Sequence, residues 1–310
     1  MSALATALRD SATLVARVAA GASLAAEFER FADEAAPTPR AALLDLTHGT
    51  LRRYGRVQAM VRELSHRAHG DAIVESLLWC ALYVLESQRY ADYTVVDQAV
   101  RACAALERWS AKGYVNALLR GYLRQRTSLE ARIQGNPEAR YQHPRWWIEL
   151  VRQAYPEQWE SVLAAGNTHP PMSLRVNRRR CSVEECERKL QAAGMVWHRI
   201  ADRGLLLERP VPIERLPGFA VGEVSVQDAR AQRAARCLDL AGGQRVLDAC
   251  AAPGGKAADI LETSDVELTA LDADAERCAR LKANLARLGL TARVANADCT
   301  RLREWWDARR

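Results

Sequence analysis

Apolar residues in the first part of the chain, up to about residue 140, recur at steps of three and four. The stretches RAALLDLTHGTLRRYGRVQAMVREL and AIVESLLWCALYVLESQ both carry that helical period. In the opening stretch Leu4, Leu8, Val15 and Val18 share one helical face, while Asp10 and Arg17 interrupt any signal-peptide core. TVVDQAVRACAALE predicts a helix with Thr94 as its N-cap and Asp97 three residues on. Alternating strand patterns are missing from this region, so the pattern predicts a helical bundle.

The texture then changes. In NPEARYQHPRWWIELVRQAYPEQWESVLAAGN, Pro144 and Pro156 stand where the first turn of a helix tolerates proline, and Gly166 with Asn167 ends the second helix. PPMSLRVNRRRCS predicts a short strand and a basic turn, with Leu174 and Val176 on one face and Arg175 on the other. CSVEECERKLQAAGM predicts a helix capped by Ser182 with Glu185 at the capping-box position, and GLLLERP and GEVSVQD predict strands. From Gly243 strand and helix alternate: QRVLDAC, a glycine loop, KAADILE, VELTALDAD, AERCARLKANLARLG and ARVANAD. Strand–helix alternation with connections this short implies a parallel sheet. The fold class is therefore multidomain: an all-α helical bundle over 1–140, a small α+β domain over 141–235 and the first half of a Rossmann-like α/β sheet over 236–310.

Composition refines this picture. The 310 residues are 49% hydrophobic and 26% charged, a balance suited to packed cores rather than disorder. The net charge of +6 is uneven, about +4 over 1–145, about +3 over 146–237 and about −1 over 238–310. Only Lys112, Lys189, Lys256 and Lys282 are lysines, so arginine forks dominate the basic part, which suits phosphate. Arg175, Arg178, Arg179 and Arg180 are the candidate RNA contacts. The longest apolar run, Leu77–Leu85, falls well short of the ~20 residues a bilayer needs. The eight cysteines show no CxxC pair, so reduced thiols in a cytoplasmic protein with no metal are expected.

The glycine loop, VLDACAAPGGKAADILE, carries the candidate chemistry. A phosphate-binding P-loop would need glycine at Cys250 and Ser or Thr at Ala257, and the G-x-G-x-x-G fingerprint is absent. What fits is a loop for S-adenosyl-L-methionine. Gly254 and Gly255 let backbone approach a ligand, and the following helix offers N–H groups to a carboxylate. Asp272 and Asp298 end the next two strands, at the crevice where a ribose-binding acid belongs. Asp228 reads as a helix N-cap.

LDACAAPGGK resembles the first motif of the RNA cytosine-5 methyltransferases, and SVQDARAQ (Ser225–Gln232), LRVN (Leu174–Asn177) and LPGF (Leu216–Phe219) match further segments of that family. ALLDLTHGTLRRY and YVNALLRGYLR resemble the antitermination-type helical RNA-binding domain, a combination that points to the bacterial branch acting on 16S ribosomal RNA. The resemblance covers essentially the whole chain. It implies a methyltransferase sheet in which Cys250, Ala251, Ala252, Pro253, Gly254, Gly255 and Lys256 hold the methionine end of the cofactor. Asp272 would bind the ribose and Asp298 would lie near the adenine. It further implies a 16S rRNA partner, no DNA, no membrane and a monomer.

In that family a thiolate adds to C6 of cytosine so that C5 can take the methyl group. The implied cysteines belong to Thr-Cys and Asp-x-Pro-Cys motifs downstream of the third strand, and neither dipeptide occurs in these residues. The expectation is that no catalytic residue is present, that Cys299 does not substitute, and that the chain as given is incomplete and inactive. A strand absent beside QRVLDAC would also leave that strand an open edge. The alternative from another class is a non-catalytic RNA-binding protein with a vestigial half-domain.

Overall fold

The computed structural model describes residues 2–33, 38–65 and 69–306. The chain forms two compact units, Met1–Thr168 and His169–Arg310.

In the first unit, α1 (Ala3–Ala19), α2 (Leu24–Asp33), α3 (Arg40–Arg52), α4 (Tyr54–Leu64), α5 (Ala72–Ser87), α6 (Asp92–Ala105) and α7 (Lys112–Ile133) make the bundle. Helix α5 is apolar on nearly every side, which suits only a central position. Its Leu77, Leu78 and Leu82 are fully buried, and α1, α3, α4, α6 and α7 all pack on it. The predicted face of α1 is seen in Leu8 and Val15, both fully buried. Thr94 does not cap α6. The helix starts at Asp92 after Ala91, whose extended backbone already turns the chain, and Thr94 lies in the first turn with its N–H on Ala91 O.

Three short helices complete this unit: α8 (Pro137–Tyr141), capped by Asn136, then α9 (Arg145–Ala154) and α10 (Trp159–Gly166). Ile148, Val151 and Leu163 pack together under Tyr141 and Trp159. These three helices belong to the same compact unit as the bundle. Helix α8 packs closely on α4: a Cβ on Gly55 of α4 would lie 2.3 Å from Glu138 O of α8. Among the described residues, no helix is long and apolar enough to cross a membrane.

The second unit holds two sheets. Strands β1 (Met172–Val176), β2 (Trp197–Ala201), β3 (Gly204–Leu207) and β4 (Val224–Val226) form an antiparallel sheet in the order β2-β3-β1-β4. Helix α11 (Val183–Ala192), capped by Ser182 Oγ on Glu185 N as predicted, packs with Leu174, Val176, Leu205 and Val224 on one face. Strand β2 is not predicted by the pattern. It is an exposed edge, placed by pairing across the turn to β3.

Strands β5 (Arg245–Asp248), β6 (Glu267–Asp272) and β7 (Arg293–Asn296) form a parallel sheet in sequence order, with α12 (Gly255–Thr263) and α13 (Ala275–Leu288) as the crossovers and α14 (Leu302–Trp305) after β7. Ala257, Ala258, Ala270 and Leu281 form its dry core. Strand β5 is an edge strand, and its Leu247 remains 43% exposed. Beside it runs a cleft of about 1190 Å³ lined in part by Val246, Thr269, Trp305 and Trp306.

Candidate cofactor-binding site

Strand β5 ends at Asp248, α12 begins at Gly255, and the residues between them continue along the end of β6 before turning into the helix. Ala251 N donates to Leu271 O at 2.8 Å, and Gly254 N to Ala251 O at 2.7 Å. Gly254 has φ of +100°, and a Cβ there would lie 2.6 Å from Leu281 Cδ1, so glycine is required for both backbone angle and space. Helix α13 secures the outside of the loop. Arg277 Nη2 donates to Ala252 O at 2.9 Å and Asn284 Nδ2 to Pro253 O at 3.2 Å. No side chain caps α12 at Gly254, so its first-turn N–H groups lack a side-chain acceptor. An uncapped helix start behind a glycine turn suits an anionic group.

Two acids face this loop from neighbouring strand ends. Asp272 is buried, with Oδ2 accepting from Ala252 N at 3.2 Å and Oδ1 from Asp274 N at 3.2 Å. It therefore braces the loop as well as ending β6. Asp248 Oδ1 accepts weakly from Cys250 N at 3.4 Å, while Oδ2 is buried with no hydrogen-bond partner. Burial raises the Asp248 carboxyl above its ordinary range, a shift that the Cys250 N–H and Lys256 only partly oppose. An orphaned buried carboxylate oxygen is the kind of group that a cationic ligand satisfies.

Of the residues singled out in the sequence, Cys250–Lys256 form the loop and the start of α12, and Asp272 bonds to the loop from the end of β6. Asp298 lies beyond the end of β7, at the same carboxyl edge of the parallel sheet. Its carboxylate accepts from Thr300 N at 2.9 Å and Thr300 Oγ1 at 2.7 Å, and those bonds hold it below the usual carboxylate range. Cys250 is exposed and Cys299 half-buried. Asp228 Oδ1 accepts from Arg230 N and Ala231 N, capping a short 3₁₀ turn rather than an α-helix.

Sequence reasoning missed Asp248, Arg277 and Asn284. The first could be read as the acid at the strand end ahead of the loop. The other two share one face of α13 with Leu281 at helical spacing.

Arg175 requires a correction. Its side chain is fully buried and donates to Glu262, Gln227 and Gly255 O, so it cannot meet RNA. The strand alternation that put it opposite Leu174 and Val176 aims it at α12, not at solvent. Arg178, Arg179 and Arg180 are exposed at the following turn; Arg178 and Arg180 each donate one prong, to Asp202 O and Val221 O, while Arg179 donates to Glu262 O and pairs with Asp265 at 2.7 Å. Cys181, Glu185 and Glu223 also converge, but Lys189 Nζ sits 3.0 Å from Glu185 and 2.7 Å from Glu223 and already occupies both carboxylates.

Family models match three stretches: the NusB family over residues 9–124, the ferredoxin-like domain of RsmF/B-like methyltransferases over 143–214, and 16S rRNA methyltransferase RsmB/F over 235–309. Ribosomal RNA small subunit methyltransferase B of Pseudomonas syringae pv. tomato is 38% identical over 308 residues, spanning 97% of this chain and 69% of that protein. The chain belongs to the 16S rRNA methyltransferase RsmB/F family. The same-named protein of Vibrio cholerae is 37% identical over 275 residues, 87% of this chain and 63% of that protein. The chain thus spans about two thirds of the length of these family members. The crystal structure of PH0851 shares the fold, with a TM-score of 0.72 at 20% identity over 98% of this chain and 72% of the other. Family membership accounts for the order of the parts: a NusB-like bundle first, a ferredoxin-like sheet next and the glycine-loop sheet last.

Proposed function

We propose that the protein acts in cytosine-C5 methylation of 16S rRNA and binds S-adenosylmethionine at the loop between β5 and α12. The observation that carries this reading is the uncapped start of α12 behind Gly254, set beside the orphaned carboxylate oxygen of Asp248. The cofactor's amino-acid end carries one carboxylate and one ammonium, and these two features match them in sign. Gly254 and Gly255 admit the carboxylate to the helix N–H groups. Asp248 supplies the ammonium with a buried counter-charge, and Lys256 adds positive charge at the loop rim.

Asp272 keeps acceptor capacity beyond its two backbone bonds and its 3.5 Å ion pair with Arg277, since an ionised carboxylate has about four lone-pair sites. That capacity would serve the ribose hydroxyls, with Asp298 nearer the adenine. When bound, the cofactor supplies an electrophilic methyl group on a sulfonium. The chain's own residues hold its ends and exclude water from the loop side. Arg178, Arg179 and Arg180 are assigned to the RNA phosphates. No described cysteine is assigned as the attacking thiol, since Cys250 belongs to the loop itself and Cys299 follows the strand on the adenine side. A ribosomal RNA substrate implies work in the cytoplasm.

Calorimetric titration of the chain with S-adenosylmethionine tests the reading. One site per chain is expected, lost in Gly254→Val, whose side chain would fill the turn. Absence of binding by the unaltered chain would refute the assignment of the loop.

A further inference from the structure

The face of the antiparallel sheet opposite α11 is unusual in being polar and yet buried. Ser173, Arg175, Ser225 and Gln227 all lie on it and all are buried. Arg175 is fully enclosed, with Nε and Nη2 donating to Glu262 Oε2 at 2.9 Å and Oε1 at 2.7 Å. Its remaining Nη1 donates to Gly255 O at 2.8 Å and to Gln227 Oε1. Arg203 continues the cluster, reaching Glu262 at 3.4 Å and Asp259. Two buried guanidinium groups thus meet two buried carboxylates, and both acids come from α12.

A plain ion-pair lock would need only Glu262 and Asp259. Arg175 does more, because its third nitrogen bonds the backbone of Gly255, the first residue of α12 and the second glycine of the loop. Gln227 is held in the same grip. Its oxygen accepts from Arg175, while its nitrogen is buried without a partner at 3.4 Å from where a Gly255 Cβ would stand. The guanidinium therefore spans the helix from its second turn to its first residue and fixes the height at which the uncapped N–H groups are presented. A planar fork does this in one rigid piece, which a lysine cannot.

We propose that Arg175 is a positioning residue for the cofactor loop: by joining Glu262, Gln227 and Gly255 O it makes the antiparallel sheet the template on which the Gly254–Gly255 turn is set. This rests on the proposed reading of the loop as the S-adenosylmethionine site. The pattern also gives the antiparallel sheet a part in cofactor binding, since a displacement of β1 or β4 moves the start of α12 directly.

The test compares the unaltered chain with Arg175→Lys, Gln227→Met and the paired change Arg175→Met with Glu262→Gln. The pair leaves Arg203 and Asp259 to neutralise one another, so it keeps the charge balance if a single change fails to fold. Two readouts are taken on folded protein well below its melting point: the dissociation constant for S-adenosylmethionine and the amide exchange of residues 254–258 relative to β6. The expected result is about tenfold weaker binding, one order of magnitude in the dissociation constant, with faster exchange confined to the loop and first turn of α12. Unchanged affinity with unchanged loop exchange in all three variants overturns the proposal. Exchange that rises equally in β6 also overturns it, because that reports general loosening. If the unaltered chain binds no cofactor, the reading of the loop fails instead, and the apo exchange data alone decide whether Arg175 positions it.

Discussion

Arg175 and Glu262, 87 positions apart in the chain, meet in a two-pronged ion pair whose side chains are 0% and 1% exposed. An ion pair so enclosed gains little net stability, because both charges lose their water. Removing one partner is far more damaging than removing both. Glu262→Ala should therefore lower the unfolding free energy of the second unit by ~3–5 kcal/mol. Arg175→Met combined with Glu262→Leu should recover most of that loss, as read by denaturant midpoints of the three proteins. Equal losses in single and paired variants would show that the two side chains act independently.

Asp272→Ala should weaken S-adenosylmethionine binding by ~1.5–3 kcal/mol, the value of hydrogen bonds made to a charged group. Part of that loss comes from the loop, since Ala252 N would lose its acceptor. Asp272→Asn retains an acceptor for Ala252 and should lose less. Calorimetry on the two variants separates the contributions, and wild-type affinity in Asp272→Ala would reduce this residue to a turn brace.

Asp248 gives a pH signature. Its carboxyl is raised by burial, so the folded state holds the proton more tightly than the unfolded state does. The stability that it contributes is full below the unfolded carboxylate range and is lost as pH rises through the raised folded value. At neutral pH the buried charge is a liability, so Asp248→Asn should raise the melting temperature at pH 7 and change it little at pH 4. The same substitution should weaken cofactor binding, because it removes the counter-charge. Thermal melts at the two pH values, beside a titration, check both halves, and a variant gaining equally at both would show the effect is not electrostatic.

The basic turn after β1 makes a prediction about salt. Replacing Arg178, Arg179 and Arg180 together by Ala should flatten the dependence of RNA affinity on salt by about 2 in log–log slope, at ~0.7 per phosphate contact on single-stranded RNA. Filter binding to a small-subunit RNA fragment across a salt series reads the slope directly. An unchanged slope removes the turn from the RNA footprint.

Much of this protein was legible in the linear order of its residues. The three- and four-residue apolar period announced the bundle, and the caps at Ser182 and the Gly-Gly turn announced where α11 and α12 begin. Such signals are local: a capping hydroxyl or a glycine at positive φ acts within one turn of chain, so its meaning is written beside it. The loop's conformation was legible for the same reason, since Cys250–Lys256 is a contiguous segment whose turn is closed by its own backbone, Gly254 N on Ala251 O.

What only the tertiary structure decided was which polar groups lose their water. The local pattern puts Arg175 on the second face of a strand and Arg178 in the turn after it, three positions on, but does not say whether that second face is covered. One is sealed against α12 and the other is exposed, because β1 is covered on both faces while the turn after it is not. Asp248 likewise reads as an ordinary strand-end acid until packing strands one of its oxygens without a partner. Burial is a property of the whole assembly of elements, set by contacts such as that between residues 175 and 262, and no window of sequence short enough to carry a motif contains it.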